Sequence, residues 1–204
     1  MRHVVVLAHP DPRSFNAAIA NAYVGAVRAA SHQAELRDLY RLGFDPRLQA
    51  QELPWHDGFA PGADAAAERA ILAGADVIAF VYPLWFNAPP AMLKGYVERV
   101  LGMGFGYEST APGTRPLLTG KQLVTVSTSG APDAWVGQTG ALERLRAGFD
   151  DHVAAVCGLT VLGHLHLGGV TPGIRDDAAE DMLGEVRSLA RRLLPSAASG
   201  PALR

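Results

Sequence analysis

The chain lacks several things, and each absence narrows the field. Among 204 residues there is one cysteine, Cys157. A lone thiol closes no internal disulfide, and no CxxC pair exists for redox or zinc chemistry. A reducing cytoplasm is the expected setting. Cys157 follows Val153 and Val156 in an apolar helical stretch and reads as a core residue, as free cysteines commonly are. Charge of one sign is missing too. A net charge of -2 offers no basic face for nucleic acid or anionic lipid, and too little acid for a carrier that docks by negative charge. No apolar run is long enough to span a bilayer, and the opening MRHVVVLAHP is too short in its apolar part for a signal peptide. Glycine is plentiful, yet no GxGxxG follows the first apolar run, which argues against a dinucleotide dehydrogenase. Ser129 lacks the GxSxG frame of a hydrolase elbow. The third apolar run ends in VYPLW, without the aspartate of a phosphoacceptor domain.

What is present is a repetition. Continuous apolar runs, expected of strands buried on both faces, alternate with amphipathic stretches. Strands are predicted over 3–8, 33–39, 76–82, 122–128 and 159–167. Helices are predicted over 14–30 with Ser14 as N-cap, 64–73, 89–101 with proline in the first turn, 140–156 and 176–194. The repetition predicts an α/β flavodoxin-like three-layer sandwich, with a five-stranded parallel sheet of order 2-1-3-4-5. Residues 1–194 are expected to form one domain and 195–204 a frayed tail. Residues 41–62, rich in proline and glycine and carrying Trp55, His56 and Phe59, read as a long surface excursion.

In such a sheet ligands sit beyond the carboxyl ends of the strands, so three loops should hold the chemistry. The first, in VLAHPDPRSFN (6–16), sets His9, Arg13 and Ser14 at a helix start. Free N–H groups and the dipole make a phosphate site there without glycines. The third-strand loop, YPLWFNAPPAMLKG (82–95), puts Trp85 and Phe86 between prolines, a stiff apolar wall for a flat ring. The fourth, STSGAP (127–132), is small and polar and can meet a planar ligand edge-on. Phosphate at one end, an aromatic platform and a ring of small donors together point to a flavin.

The segments LAHPDPRSFN, DLYRLGFDP (38–46), ADVIAFVYPLWFNAPPAMLKGYVERVLGMGFGY (75–107) and TVSTSG (125–130) resemble the NAD(P)H:quinone oxidoreductases of DT-diaphorase type over residues 1–172. The resemblance implies a bound flavin, FAD or alternatively FMN. It implies two-electron, ping-pong transfer of hydride from NADH or NADPH, through flavin N5, to a quinone or a similar acceptor. By matching positions, His9, Ser14, Phe15 and Asn16 fall in the phosphate–ribityl loop. Pro83, Leu84, Trp85 and Phe86 fall against the ring, and Ser127, Thr128, Ser129 and Gly130 at its polar edge. Phe105 and Tyr107 match a segment that walls the substrate pocket, often across a homodimer interface, and Arg175 falls one position from an arginine that contacts the adenine half of FAD.

There are departures. Trp135 stands where the best-known members carry a tyrosine, and no histidine follows before His152. An indole exchanges no proton as a phenol does, so a proton relay must use other groups or water, and no catalytic side chain is assigned. Other roles on the same scaffold are azo- or nitroreduction, electron carriage, or service as the regulatory subunit of a membrane transporter. Outside the three loops, His164 and His166 share one face of a strand but lack the further ligands a metal needs, so no metal is expected. Lys94, Glu98 and Arg99 lie on one helix, the first two spaced as an ordinary surface ion pair.

Overall fold

The computed structural model describes residues 1–111 and 113–194. The tail from Pro195 therefore lies outside the described residues. Five parallel strands form the main sheet: β1 (Arg2–Leu7), β2 (Gln33–Asp38), β3 (Val77–Pro83), β6 (Gln122–Thr128) and β7 (Thr160–Leu167). Their order is β2-β1-β3-β6-β7, which is the predicted order once two intervening strands are counted. Those two, β4 (Tyr107–Thr110) and β5 (Gly113–Pro116), pair with each other in an antiparallel hairpin outside the main sheet. The sequence reading had no element there. The segment is four exposed or half-buried residues a side, with no apolar alternation to reveal it.

Alternation along the strands sends side chains to two cores. Val5, Leu7, Val77, Ala79, Val81, Val124 and Val126 pack under α1 (Phe15–Ala29) and α7 (Asp176–Arg192). Val4, Val6, Ile78, Phe80, Tyr82 and Leu123 pack on the other face, under α2 (Ala63–Ala73), α3 (Ala91–Val100) and α6 (Asp151–Cys157). Cys157 is buried in this second core, and burial pushes its thiol up to about 11, so it stays protonated and inert.

The helix predicted over 140–156 arrives in three pieces. A short α4 (Asp133–Gln138) precedes α5 (Ala141–Leu145), a π turn (Arg146–Asp150) and α6. A π turn accommodates one extra residue. Here it carries Asp150, fully buried, toward the sheet, where Thr125 Oγ1 donates to its Oδ1 at 3.0 Å.

The excursion over 41–62 is not all surface. Trp55 is 79% exposed, but Phe44 and Glu52 are buried. Arg99 of α3 grips Glu52 through Nε (2.8 Å) and a terminal nitrogen (2.9 Å), holds Asp64 at 2.7 Å and donates to the Asp45 carbonyl. Arg99 is thus turned into the protein, away from the solvated Lys94–Glu98 pair on the same helix. Its guanidinium is held even more firmly protonated than usual, first by Asp64 and then by Glu52. The Arg99 bond likewise holds the Asp64 carboxyl below its ordinary range. Burial opposes charge on Glu52, yet bonds from Arg99 and from the Gln49 and Gly62 N–H groups keep it low as well. Gly95 lets α3 approach this segment, because a Cβ there would lie 2.1 Å from the Pro46 carbonyl oxygen. The Lys94–Glu98 pair forms as expected, exposed, at 2.5 Å.

Candidate active site

The carboxyl ends of β1, β3 and β6 bring the three loops together around a cleft of about 220 Å³. It is lined by His9, Phe15, Asn16, Pro83, Leu84, Trp85, Thr128, Ser129, Gly130 and Val170. Nine of these ten were picked out from the sequence. Val170 was not, because it sits three residues beyond the segment 159–167 read as a strand, after two glycines and without a polar signature of its own.

Each wall has a local cause. Ser14 takes an extended conformation and its Oγ accepts from the Ala17 N–H at 3.2 Å, the N-cap of α1. The cap leaves the N–H groups of Phe15 and Asn16 without intrahelical acceptors. Asn16 is buried; its Nδ2 donates to Thr128 Oγ1 at 3.0 Å, while its Oδ1 has no partner among the described residues. His9 Nδ1 accepts from the Asp11 N–H at 3.0 Å. That bond leaves the proton of a neutral ring on Nε2 as a free donor.

The platform is built on a tight turn. Trp85 and Ala88 exchange both backbone hydrogen bonds at 3.1 Å, and Phe86 and Asn87 between them adopt positive φ of 52° and 55°. A phenylalanine in that region is strained. The Asn87 side chain helps hold the turn by donating to the Ala141 carbonyl at 3.1 Å. The result presents Trp85 to the cleft, with its ring centroid 6.0 Å from that of His9. Phe86 projects fully exposed and does not line the cleft.

The polar edge is leaner in donors than its sequence promises. The Ser129 N–H is spent on the Leu167 carbonyl, and the Leu84 N–H on that of Thr128. Ser127 does not face the cleft. Its hydroxyl is wholly buried and meets His164 Nε2 at 2.6 Å and His166 Nδ1 at 2.8 Å. His164 Nδ1 in turn meets Asp150 Oδ2 at 2.5 Å. Asp150, His164 and Ser127 have the connectivity of a hydrolytic triad, but a serine with no exposed surface offers no nucleophile to a substrate. The two histidines do share a face, and it is turned to Ser127. No group of three or more candidate metal ligands occurs among the described residues.

The remaining expected residues lie elsewhere. Phe105 packs at the edge of the second core beneath the Arg69 guanidinium. Tyr107 lines a separate groove of about 570 Å³ between the excursion, α3 and α6. Trp135, on α4, is 54% exposed. Arg175 caps α7 at the surface and pairs with Asp177. Within one chain none of these four lines the cleft.

The flavodoxin-like fold family matches residues 1–190. An uncharacterized NAD(P)H oxidoreductase of Haemophilus influenzae is 38% identical over 133 residues, 64% of this chain and 65% of that protein. NAD(P)H dehydrogenase (quinone) 1 of Rattus norvegicus is 29% identical over 183 residues, 79% of this chain and 66% of that protein. The matches thus span just under two thirds of these curated relatives. The NAD(P)H:quinone oxidoreductase from Methanothermobacter marburgensis superposes with a TM-score of 0.85 at 28% identity, over 95% of this chain and 99% of that one. The chain belongs to the flavodoxin-like fold family, and the relatives it resembles there bear the names of NAD(P)H oxidoreductases and quinone reductases.

Proposed function

We propose that the chain is a flavin-dependent NAD(P)H:quinone oxidoreductase acting at this cleft. The observation that carries the reading is the buried Oδ1 of Asn16, unpartnered among the described residues, in a cleft that begins at a capped helix start and ends at a tryptophan platform. A buried acceptor without a donor is costly, and the hydroxyl of a ribityl chain would satisfy it. The N–H groups opening α1, the Ser14 region and the His9 Nε2 donor would receive a phosphate. Pro83, Leu84 and Trp85 would lie against the flat ring, with Thr128, Ser129 and Gly130 at its edge.

A bound flavin would supply N5, which takes hydride from NAD(P)H and passes it to the acceptor. The protein's part is to orient two flat substrates in turn over one face, and to keep water from the reacting atoms. Arg175, the one residue that favoured FAD over FMN, does not line the cleft, and release of the chromophore decides between the two flavins. The cleft is also smaller than the ~300–1,000 Å³ usual for a ligand pocket, and Trp85, Phe86 and Trp135 are exposed. A second copy covering these aromatics would complete the substrate pocket; sedimentation of the purified chain tests this.

Three outcomes test the reading. The purified protein should be yellow, should release FMN or FAD on heating, and should oxidise NADH or NADPH with menadione. Colourless protein that takes up neither flavin sinks the proposal. A coloured protein that consumes no NAD(P)H would be a carrier. Asn16→Leu should weaken flavin binding by about tenfold or more, read by fluorescence titration, because it removes an acceptor and leaves Thr128 Oγ1 unpaired. Trp135→Phe should keep more than about a tenth of the turnover, since positioning rather than acid–base chemistry is asked of the indole.

A further inference from the structure

Quinone reduction needs two electrons and two protons, and a hydride carries both electrons but one proton. Among the expected residues none that donates a proton was assigned, and Trp135 cannot serve. Behind the cleft, however, runs an unbroken chain of polar contacts. Asp150 Oδ2 meets His164 Nδ1 at 2.5 Å, His164 Nε2 meets Ser127 Oγ at 2.6 Å, Ser127 Oγ meets His166 Nδ1 at 2.8 Å, and His166 Nε2 meets Ser129 Oγ at 2.9 Å. One end is a buried carboxylate; the other, Ser129, lines the cleft. We propose that Asp150, His164, Ser127, His166 and Ser129 form a proton relay that supplies the second proton to the anion left in the cleft by hydride transfer. This rests on the oxidoreductase reading for its acceptor, not for its geometry.

The relay has two hydrogen-bonded states on the same heavy-atom positions. In the loaded state His164 is an imidazolium, donating through Nδ1 to Asp150 and through Nε2 to Ser127. Ser127 donates to His166 Nδ1, His166 Nε2 donates to Ser129, and the Ser129 hydroxyl is free to donate to the Ala131 carbonyl, 3.0 Å away, or into the cleft. Delivery breaks the Ser129 O–H bond and forms an O–H bond on the hydroquinone anion. Ser129 is reprotonated from His166 Nε2, His166 Nδ1 from Ser127, and Ser127 from His164 Nε2. In the spent state every link donates toward Asp150, His164 is neutral, and one proton has left. The positive charge lost at His164 equals the negative charge neutralised in the cleft. After the product leaves, a solvent proton delivered by hydronium to Ser129 passes back through His166 and Ser127 to His164 Nε2, releasing water and restoring the loaded state.

The surroundings suit the task. Asp150 keeps its place through Thr125 Oγ1 and the π turn. Tyr82 of β3, buried with its hydroxyl unpaired among the described residues, has its phenol pushed well up by burial and by Asp150, so it does not compete as an acid. Burial also holds His166 low; the Asp133 carboxylate of α4 opposes this and His164 adds to it. A ring kept neutral passes a proton by exchanging tautomers, without stopping as a cation.

Long-range nitrogen–proton NMR of the histidine rings, on the full chain as purified, reads the relay without activity. His166 should change from Nε2–H to Nδ1–H in step with the loss of the His164 proton, the two rings sharing one midpoint. A His166 ring that keeps a single tautomer while His164 loses its proton would overturn the relay. Ser127→Ala cuts the chain in the middle and removes no charge. It should abolish the shared midpoint and lower turnover with menadione about tenfold above pH 8, while hydride uptake from NAD(P)H stays within about twofold. Equal losses in both steps would also overturn it. Colourless protein that still shows the coupled switch would fail the oxidoreductase reading and keep the relay.

Discussion

Arg99→Leu should destabilise the protein by about 3–5 kcal/mol, the usual result of removing one partner from a buried ion pair. The shift is read as a lower urea midpoint at unchanged slope. The Arg99 and Glu52 side chains are 2% and 4% exposed. Without the guanidinium, Glu52 either stays charged with only the Gln49 and Gly62 N–H groups, or takes a proton. Asp64 is 38% exposed and can turn to water, so the loss comes mainly from Glu52. The double variant Glu52→Leu/Arg99→Leu should therefore recover much of the stability, since replacing a whole buried pair by apolar groups is often neutral. If the single variant alone unfolds in dilute buffer, the double variant still decides the matter. A double variant no more stable than Arg99→Leu would mean that the bonds to Asp64 and the Asp45 carbonyl hold the excursion instead.

The second large effect is a loss of stability in acid. His3 is wholly buried in β1, with Nδ1 3.0 Å from the Tyr23 hydroxyl and Nε2 unpaired among the described residues. Burial first, and then the positive charges of the amino terminus and His32, bring it down to about 4 from its ordinary 6.5. A folded-state value below the unfolded one means that the unfolded chain binds the proton first. Above pH 6.5 neither state is protonated at His3 and the residue adds no pH dependence. As pH falls from 6.5 toward 4, stability should drop by about 3 kcal/mol in total. His166, also held low by burial, adds slope of the same sign. Unfolding free energies measured across this window should fall steadily in the native protein and less steeply in His3→Gln, which keeps a polar group beside Tyr23 but does not titrate. Equal slopes in the two proteins would locate the acid sensitivity elsewhere.

The parallel sheet was legible because its strands are unusually plain. DVIAFVY and RHVVVLA are apolar on both faces, and only a strand covered by helices on both sides tolerates that. The cleft was legible for a related reason: loops at the carboxyl ends of such a sheet converge whatever their composition, so Asn16, Trp85 and Ser129 could be grouped before any contact was known. The burial of Arg99 was not legible because its partners Glu52 and Asp64 lie 47 and 35 residues away, one in a segment whose proline and glycine content suggests only a loop and the other in the first turn of α2. Nothing in the local pattern distinguishes a guanidinium on a solvated helix face from one turned into the protein.

The alternation of apolar runs and helical faces thus determined the architecture, the order of the strands and which loops meet, because these follow from local periodicity and from chain connectivity. The polar chain behind Ser129 was decided only by packing. Between Leu123 and Val124 the pairing of β6 with β7 slips by one residue, so that His164 comes opposite Thr125 and His166 opposite Ser127. A one-residue shift exchanges the two faces of a strand. That bulge, together with the π turn that faces Asp150 inward, joined groups from three elements through distances that no sequence spacing encodes.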